Sequence, residues 1–135
     1  MSLVDLERIE SDGVLYALVV RRTYRVDGVD FVTEPEHSQQ VAYMSHKKGT
    51  TIDAHFHNPV KRIISQTQEV LMMTRGSLKC DVYDNEQQYL QSCTIDEGDL
   101  IVLLDGGHGF SALSDIEMIE IKQGPYTGAK DKTHF

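Results

Sequence analysis

The stretch Leu78-Lys79-Cys80-Asp81-Val82-Tyr83-Asp84-Asn85-Glu86-Gln87-Gln88-Tyr89-Leu90-Gln91-Ser92-Cys93-Thr94-Ile95 decides the fold class. Its two ends alternate apolar and polar side chains, the period of strands with one face on a core, and the polar centre from Asn85 to Gln88 supplies the turn. Folding the stretch on itself places Cys80 roughly opposite Cys93, which leaves two readings open: two reduced core thiols or a disulfide. The same grammar runs outward in both directions. Val14 to Val20, Val29 to Val32, Gln40 to Met44, Val70 to Met73, Leu100 to Leu104, Phe110 to Leu113 and Met118 to Ile121 are short apolar or alternating runs cut by turn residues. With the two quoted runs they make nine expected strands, so the chain reads as all-β. Leu3 to Ile9 fits either a short helix or a first strand.

The turn residues agree. Asp27-Gly28 between Tyr24-Arg25-Val26 and Val29-Asp30-Phe31 predicts a two-residue hairpin, which Arg21, Arg22 and Arg25 would guard against edge-to-edge pairing. Lys48-Gly49, Arg75-Gly76, Glu97-Gly98-Asp99 and Asp105-Gly106-Gly107 mark further turns.

Composition bounds the function. A chain of 135 residues fits one domain spanning 1–135, with a body from about 14 to 123 and an irregular C-terminal arm over 124–135 lying across the surface or a neighbouring subunit. That length needs no stabilising metal, so a bound metal would serve function. With 21 Asp and Glu against 13 Lys and Arg, a net charge of −8, the surface repels polyanions, and nucleic-acid and membrane partners are not expected. The longest apolar run, Val14 to Val20, is far too short to span a bilayer, and no basic start precedes a long apolar core. A cytoplasmic location is expected.

Chemistry concentrates in two histidine-bearing segments. In Gly49-Thr50-Thr51-Ile52-Asp53-Ala54-His55-Phe56-His57, residues two apart on a strand share a face, so His55 and His57 can converge on one ion while Phe56 points away. Further ligands must come from other strands, and a divalent ion favours an anionic oxygen among them. Glu69, which opens the apolar run Glu69-Val70-Leu71-Met72-Met73, is the candidate, because an uncompensated carboxylate there would be costly to bury. Gln66 and Gln68 are neutral alternatives. Asp53 reads as a loop carboxylate, and His37, His46 and His134 as surface residues.

These segments resemble the cupins, small double-stranded β-helix (jelly-roll) barrels. Gly49, five residues, His55-x-His57, then Glu69, six residues and Gly76 are similar to the family's first motif. Gly98-Asp99, an apolar strand and Gly106-Gly107-His108 are similar to its second. The segment from Asn58 to Gln68 is longer than the family's usual spacing and must leave the barrel and return. The resemblance covers roughly Val41 to Ile121 and implies an all-β jelly-roll barrel holding a divalent transition metal, Fe, Mn, Ni or Zn, on His55, His57, Glu69 and His108. It also implies a homodimer.

Around such a site Lys61 and Arg62 are either anion-holding cations or solvated charges. Phe56, Phe110 and Tyr126 are candidate walls. The alternation of Met118 to Gln123 leaves open whether Met118, Glu120 and Lys122 or Ile119, Ile121 and Gln123 face inward, and Glu120 is carried as a candidate ligand-binding residue. A site with one carboxylate and three imidazoles keeps a net positive charge and open positions, which suits a small anionic or carbohydrate-like molecule. Three functions are compatible: a metal-dependent oxygenase or isomerase, a metal-free sugar-nucleotide ketoisomerase or epimerase with His55 or His57 as general base, and a non-catalytic ligand-binding module.

Overall fold

The structure, a computed structural model, describes residues 5–135. Leu3 lies outside them. The described chain is all-β, with ten strands: β1 (Leu6–Ser11), β2 (Val14–Val20), β3 (Gly28–Phe31), β4 (Ala42–Ser45), β5 (Glu69–Arg75), β6 (Leu78–Tyr83), β7 (Tyr89–Ile95), β8 (Leu100–Leu103), β9 (Gly107–Ala112) and β10 (Glu117–Lys122). Of the segment read as helix or strand, the part from Leu6 to Ile9 is strand, within β1.

All pairings are antiparallel, in three sheets. One has five strands in the order β1-β2-β8-β5-β10, one has three in the order β7-β6-β9, and β3 pairs β4 alone. None closes into a barrel. The inner face of the five-stranded sheet gives Ile9, Ala17, Val19, Leu71, Met73, Ile101 and Leu103 to a core whose other half is Leu78, Cys80, Val82 and Ile95 from the three-stranded sheet. The outer face carries a second cluster, in which Leu18, Val70 and Val102 pack with Val32, Tyr24 and Val41. Burial on both faces is why β2, Val-Leu-Tyr-Ala-Leu-Val-Val, is apolar throughout, whereas β6, with one face outward, alternates.

The β6–β7 hairpin forms as its alternation predicts, with Cys80 directly across from Cys93, and both thiols are free. The Asp27-Gly28 hairpin does not form. Gly28 adopts φ +83°, but β3 pairs β4 and residues 24–26 are in no strand. The cause is non-local: the Arg22 N–H donates to the Asp99 carboxylate at 2.9 Å, and the Tyr24 N–H closes a turn on the Arg21 carbonyl. Gln40 likewise drops out of its expected strand, because its side-chain amide donates to the His37 and Glu34 carbonyls.

Arg21 is a latch rather than an edge guard. Its guanidinium donates to Glu7 on β1 at 2.6 Å, to the Thr94 carbonyl on β7 at 2.6 Å, and to Asp99 at 2.9 Å. Asp99, 4% exposed, also accepts from the Asp96 N–H at 2.9 Å. One side of the sandwich is thereby tied shut. On the opposite side the edges of β9 and β10 have no strand beside them among the described residues.

Removing one member of a buried, hydrogen-bonded ion pair strands the other charge and two backbone donors. Asp99→Ala is expected to cost about 3 kcal/mol in urea unfolding, and Asp99→Asn, which retains an acceptor for the amides, distinctly less.

Candidate functional site

Glu69 opens β5 on the inner face, in one row with Leu103 of β8 and Ala17 of β2, so the backbone places a carboxylate at the end of an apolar layer. His108 arrives from β9, opposite Val82 of β6, and therefore also faces inward. Its Nε2 lies 3.5 Å from Glu69 Oε1. The imidazole rests against Phe110, ring centroids 5.1 Å apart.

The register of β10 decides its alternation. Met118 stands opposite Met73, Glu120 opposite Leu71 and Lys122 opposite Glu69, so Met118, Glu120 and Lys122 share the inner face, and Ile119 and Ile121 face outward. The hydrogen bond from His108 holds the Glu69 carboxyl down to about 2, against burial that pushes it up, with smaller help from the Glu120 carboxyl and the Lys122 charge. Glu120 moves the other way, because a hydrogen bond to the Glu69 carboxylate favours its protonated form. Of the two carboxyls, Glu69 therefore loses its proton first as pH rises and Glu120 second.

A cavity of about 580 Å³ opens over this group, lined by Glu69, His108 and Phe110 together with Asp131, Lys132 and Phe135 of the C-terminal arm. Phe135 packs edge-on against Tyr83, and Thr67 donates to Asp131 at 3.4 Å. The arm thus covers part of the site. Nothing in its sequence, which lacks apolar alternation, signals Asp131 and Lys132 as lining residues. Gly107 makes the arm's approach possible: a Cβ there would stand 2.8 Å from the Phe135 ring.

The remaining candidates lie elsewhere. His55 and His57 are exposed on the connection between β4 and β5, ring centroids 5.3 Å apart, with His55 Nδ1 2.9 Å from the Asp53 carbonyl. Lys61 is exposed on the same connection, as is Arg62, which lines a separate cleft with His37 and Gln68. Phe56 and Tyr126 are exposed and line none of these surfaces. Gln68 is committed to the fold, its side-chain oxygen accepting from the Gln39 N–H and its amide donating to the Leu104 carbonyl. The candidate ligands thus stand as two pairs, Glu69 with His108 and His55 with His57. Among the described residues no three His, Cys, Asp or Glu side chains form one metal-holding group.

The Glu69–His108 pair suits a metal by chemistry and spacing. Donors each about 2.1 Å from one ion stand roughly 3.0 Å apart at right angles and roughly 3.4 Å apart in a tetrahedron, and the observed separation is close to the latter. In a second cleft, of about 650 Å³, Arg21 is already paired with Glu7 and Asp99. Searches of protein-family models, curated proteins and solved structures found no match to this chain.

Because Glu69 titrates lower in the folded protein than its ordinary 4.5, the stability it contributes is full above that value and is lost as pH falls toward about 2. The melting-temperature difference between wild type and Glu69→Gln should therefore shrink as pH is lowered through that window. A difference independent of pH would show that the pairing with His108 does not hold the carboxylate.

Proposed function

We propose that the chain is a metal-binding cupin-type protein that acts on or senses a small anionic or carbohydrate-like molecule, with Glu69 and His108 as two ligands of a divalent transition metal and His55 and His57 as the others. The observation that carries this reading is the ionised Glu69 carboxylate beside the His108 imidazole at donor–donor spacing, inside a cavity of substrate size. A carboxylate and imidazoles form a borderline-hard set suited to Fe, Mn, Ni or Zn. Such an ion supplies Lewis acidity toward a ligand oxygen. The chain's own groups supply the rest: Phe110 is a wall and Lys132 a cation for an anionic ligand, while Glu120 hydrogen-bonds the ligand carboxylate Glu69.

A second reading, a metal-free ketoisomerase or epimerase with a histidine base, draws support from the His55 contact. An Nδ1–H donating to the Asp53 carbonyl would leave Nε2 with a free lone pair, suited to accepting a proton.

Metal analysis of protein purified without chelator separates the two. The metal reading expects close to one divalent ion per chain, reduced at least tenfold by Glu69→Gln and by His57→Ala. No ion in the wild type contradicts it, and sugar isomerisation persisting without metal establishes the alternative.

A further inference from the structure

The connection between β4 and β5 is anomalous. Every residue from 46 to 67 is exposed, and among the described residues its backbone makes one hydrogen bond to backbone, Thr50 N–H to the Lys47 carbonyl. It is not a polar loop. Ile52, Phe56, Val60 and Ile63 are between 61% and 91% exposed, and nothing among the described residues covers them. Twenty-two residues of extended chain have a contour of about 70 Å, enough to cross to another molecule and return. Lys47, Lys48, Lys61 and Arg62 against Asp53 give the segment a net charge of +3, which leaves −11 on the rest of a chain whose total is −8. The segment is therefore drawn to an acidic body of the kind this chain itself presents.

The body offers a matching vacancy. Among the described residues β9 pairs β6 on one side and no strand on the other, with the Phe135 ring beside Gly107 at its start, and its inward residues include His108 beside Glu69. A strand added to that edge would present alternate side chains to the interior, so His55 and His57 would enter together and Phe56 would face out.

We propose that residues 46–67 reach to a second copy of this chain and pair with its free β9 edge, so that each site combines Glu69 and His108 of one copy with His55 and His57 of the other. The inference rests on the metal reading for the identity of the site, and on exposure, charge and the free edge for the exchange. Two-fold symmetry makes the exchange reciprocal, giving two sites per dimer.

Two measurements test it. Light scattering should give a dimer for the wild type and a monomer for Ala54→Pro with Phe56→Pro, which disrupt the backbone pairing of an added strand at exposed positions that spare the fold of a single chain. A wild-type monomer, or a dimer unaffected by these changes, overturns the proposal. Cobalt(II) absorption reads the shared site. A chain with His55→Ala and His57→Ala and a chain with Glu69→Gln and His108→Ala should each bind no Co²⁺ alone, but regain about a quarter of the wild-type sites when refolded together, because half of randomly mixed dimers carry one intact site. No recovery, with the wild type binding, overturns the exchange and leaves the metal reading standing. A wild type that binds no Co²⁺ but is a dimer that dissociates on the proline substitutions in 46–67 rejects the metal reading and upholds the exchange.

Discussion

The buried Asp99 carboxylate sets the shape on which everything else depends. By accepting from the Arg21 guanidinium and from the Arg22 and Asp96 amides, it joins the end of β2 to the turn before β8, and through Arg21 to β1 and β7. Two segments remote in sequence, residues 7–22 and 94–99, meet at this one ion pair. The sandwich is latched on that side and open on the other, between β9 and β10, where the inward-facing Glu69, His108, Glu120 and Lys122 lie. A carboxylate at the end of a closed apolar layer would be costly; at an open edge, beside His108 and Lys122, it stays ionised.

Much of the all-β character was legible because it is local. The Leu78 to Ile95 stretch carries its own alternation and turn, and no distant residue is needed to fold it. The apolar runs of β2, β5 and β8 were equally plain, since these strands are covered on both faces or lie in the middle of the large sheet. What misled was chemistry acting at long range. Asp27-Gly28 has the composition of a hairpin, yet the segment before it is held in a turn by Asp99, more than seventy residues away. Arg21 looked like an edge guard for the same reason: its role depends on which strands become neighbours.

The site divides along the same line. Glu69 stood out because a carboxylate opening an apolar run needs a partner, and His108, from a different sheet, supplies one. Glu120 was undecided from alternation, and only the pairing of β10 with β5 turns it inward. Asp131 and Lys132 gave no signal, as the arm that carries them is irregular and is placed by Phe135 against Tyr83. His55 and His57 present the opposite case. Their spacing is that of ligands on a strand, but a strand requires an edge to pair with, and the free edge nearest the matching chemistry is that of β9.

The central claim is that Glu69 and His108 are two ligands of a metal completed by the other two histidines. Anomalous diffraction from crystals of metal-loaded protein tests it most directly. The account predicts a single anomalous peak within about 2.3 Å of Glu69 Oε1 and His108 Nε2, with His55 and His57 from a neighbouring copy closing the coordination sphere. A cavity without a peak, with Glu69 and His108 bonded only to each other, would contradict it.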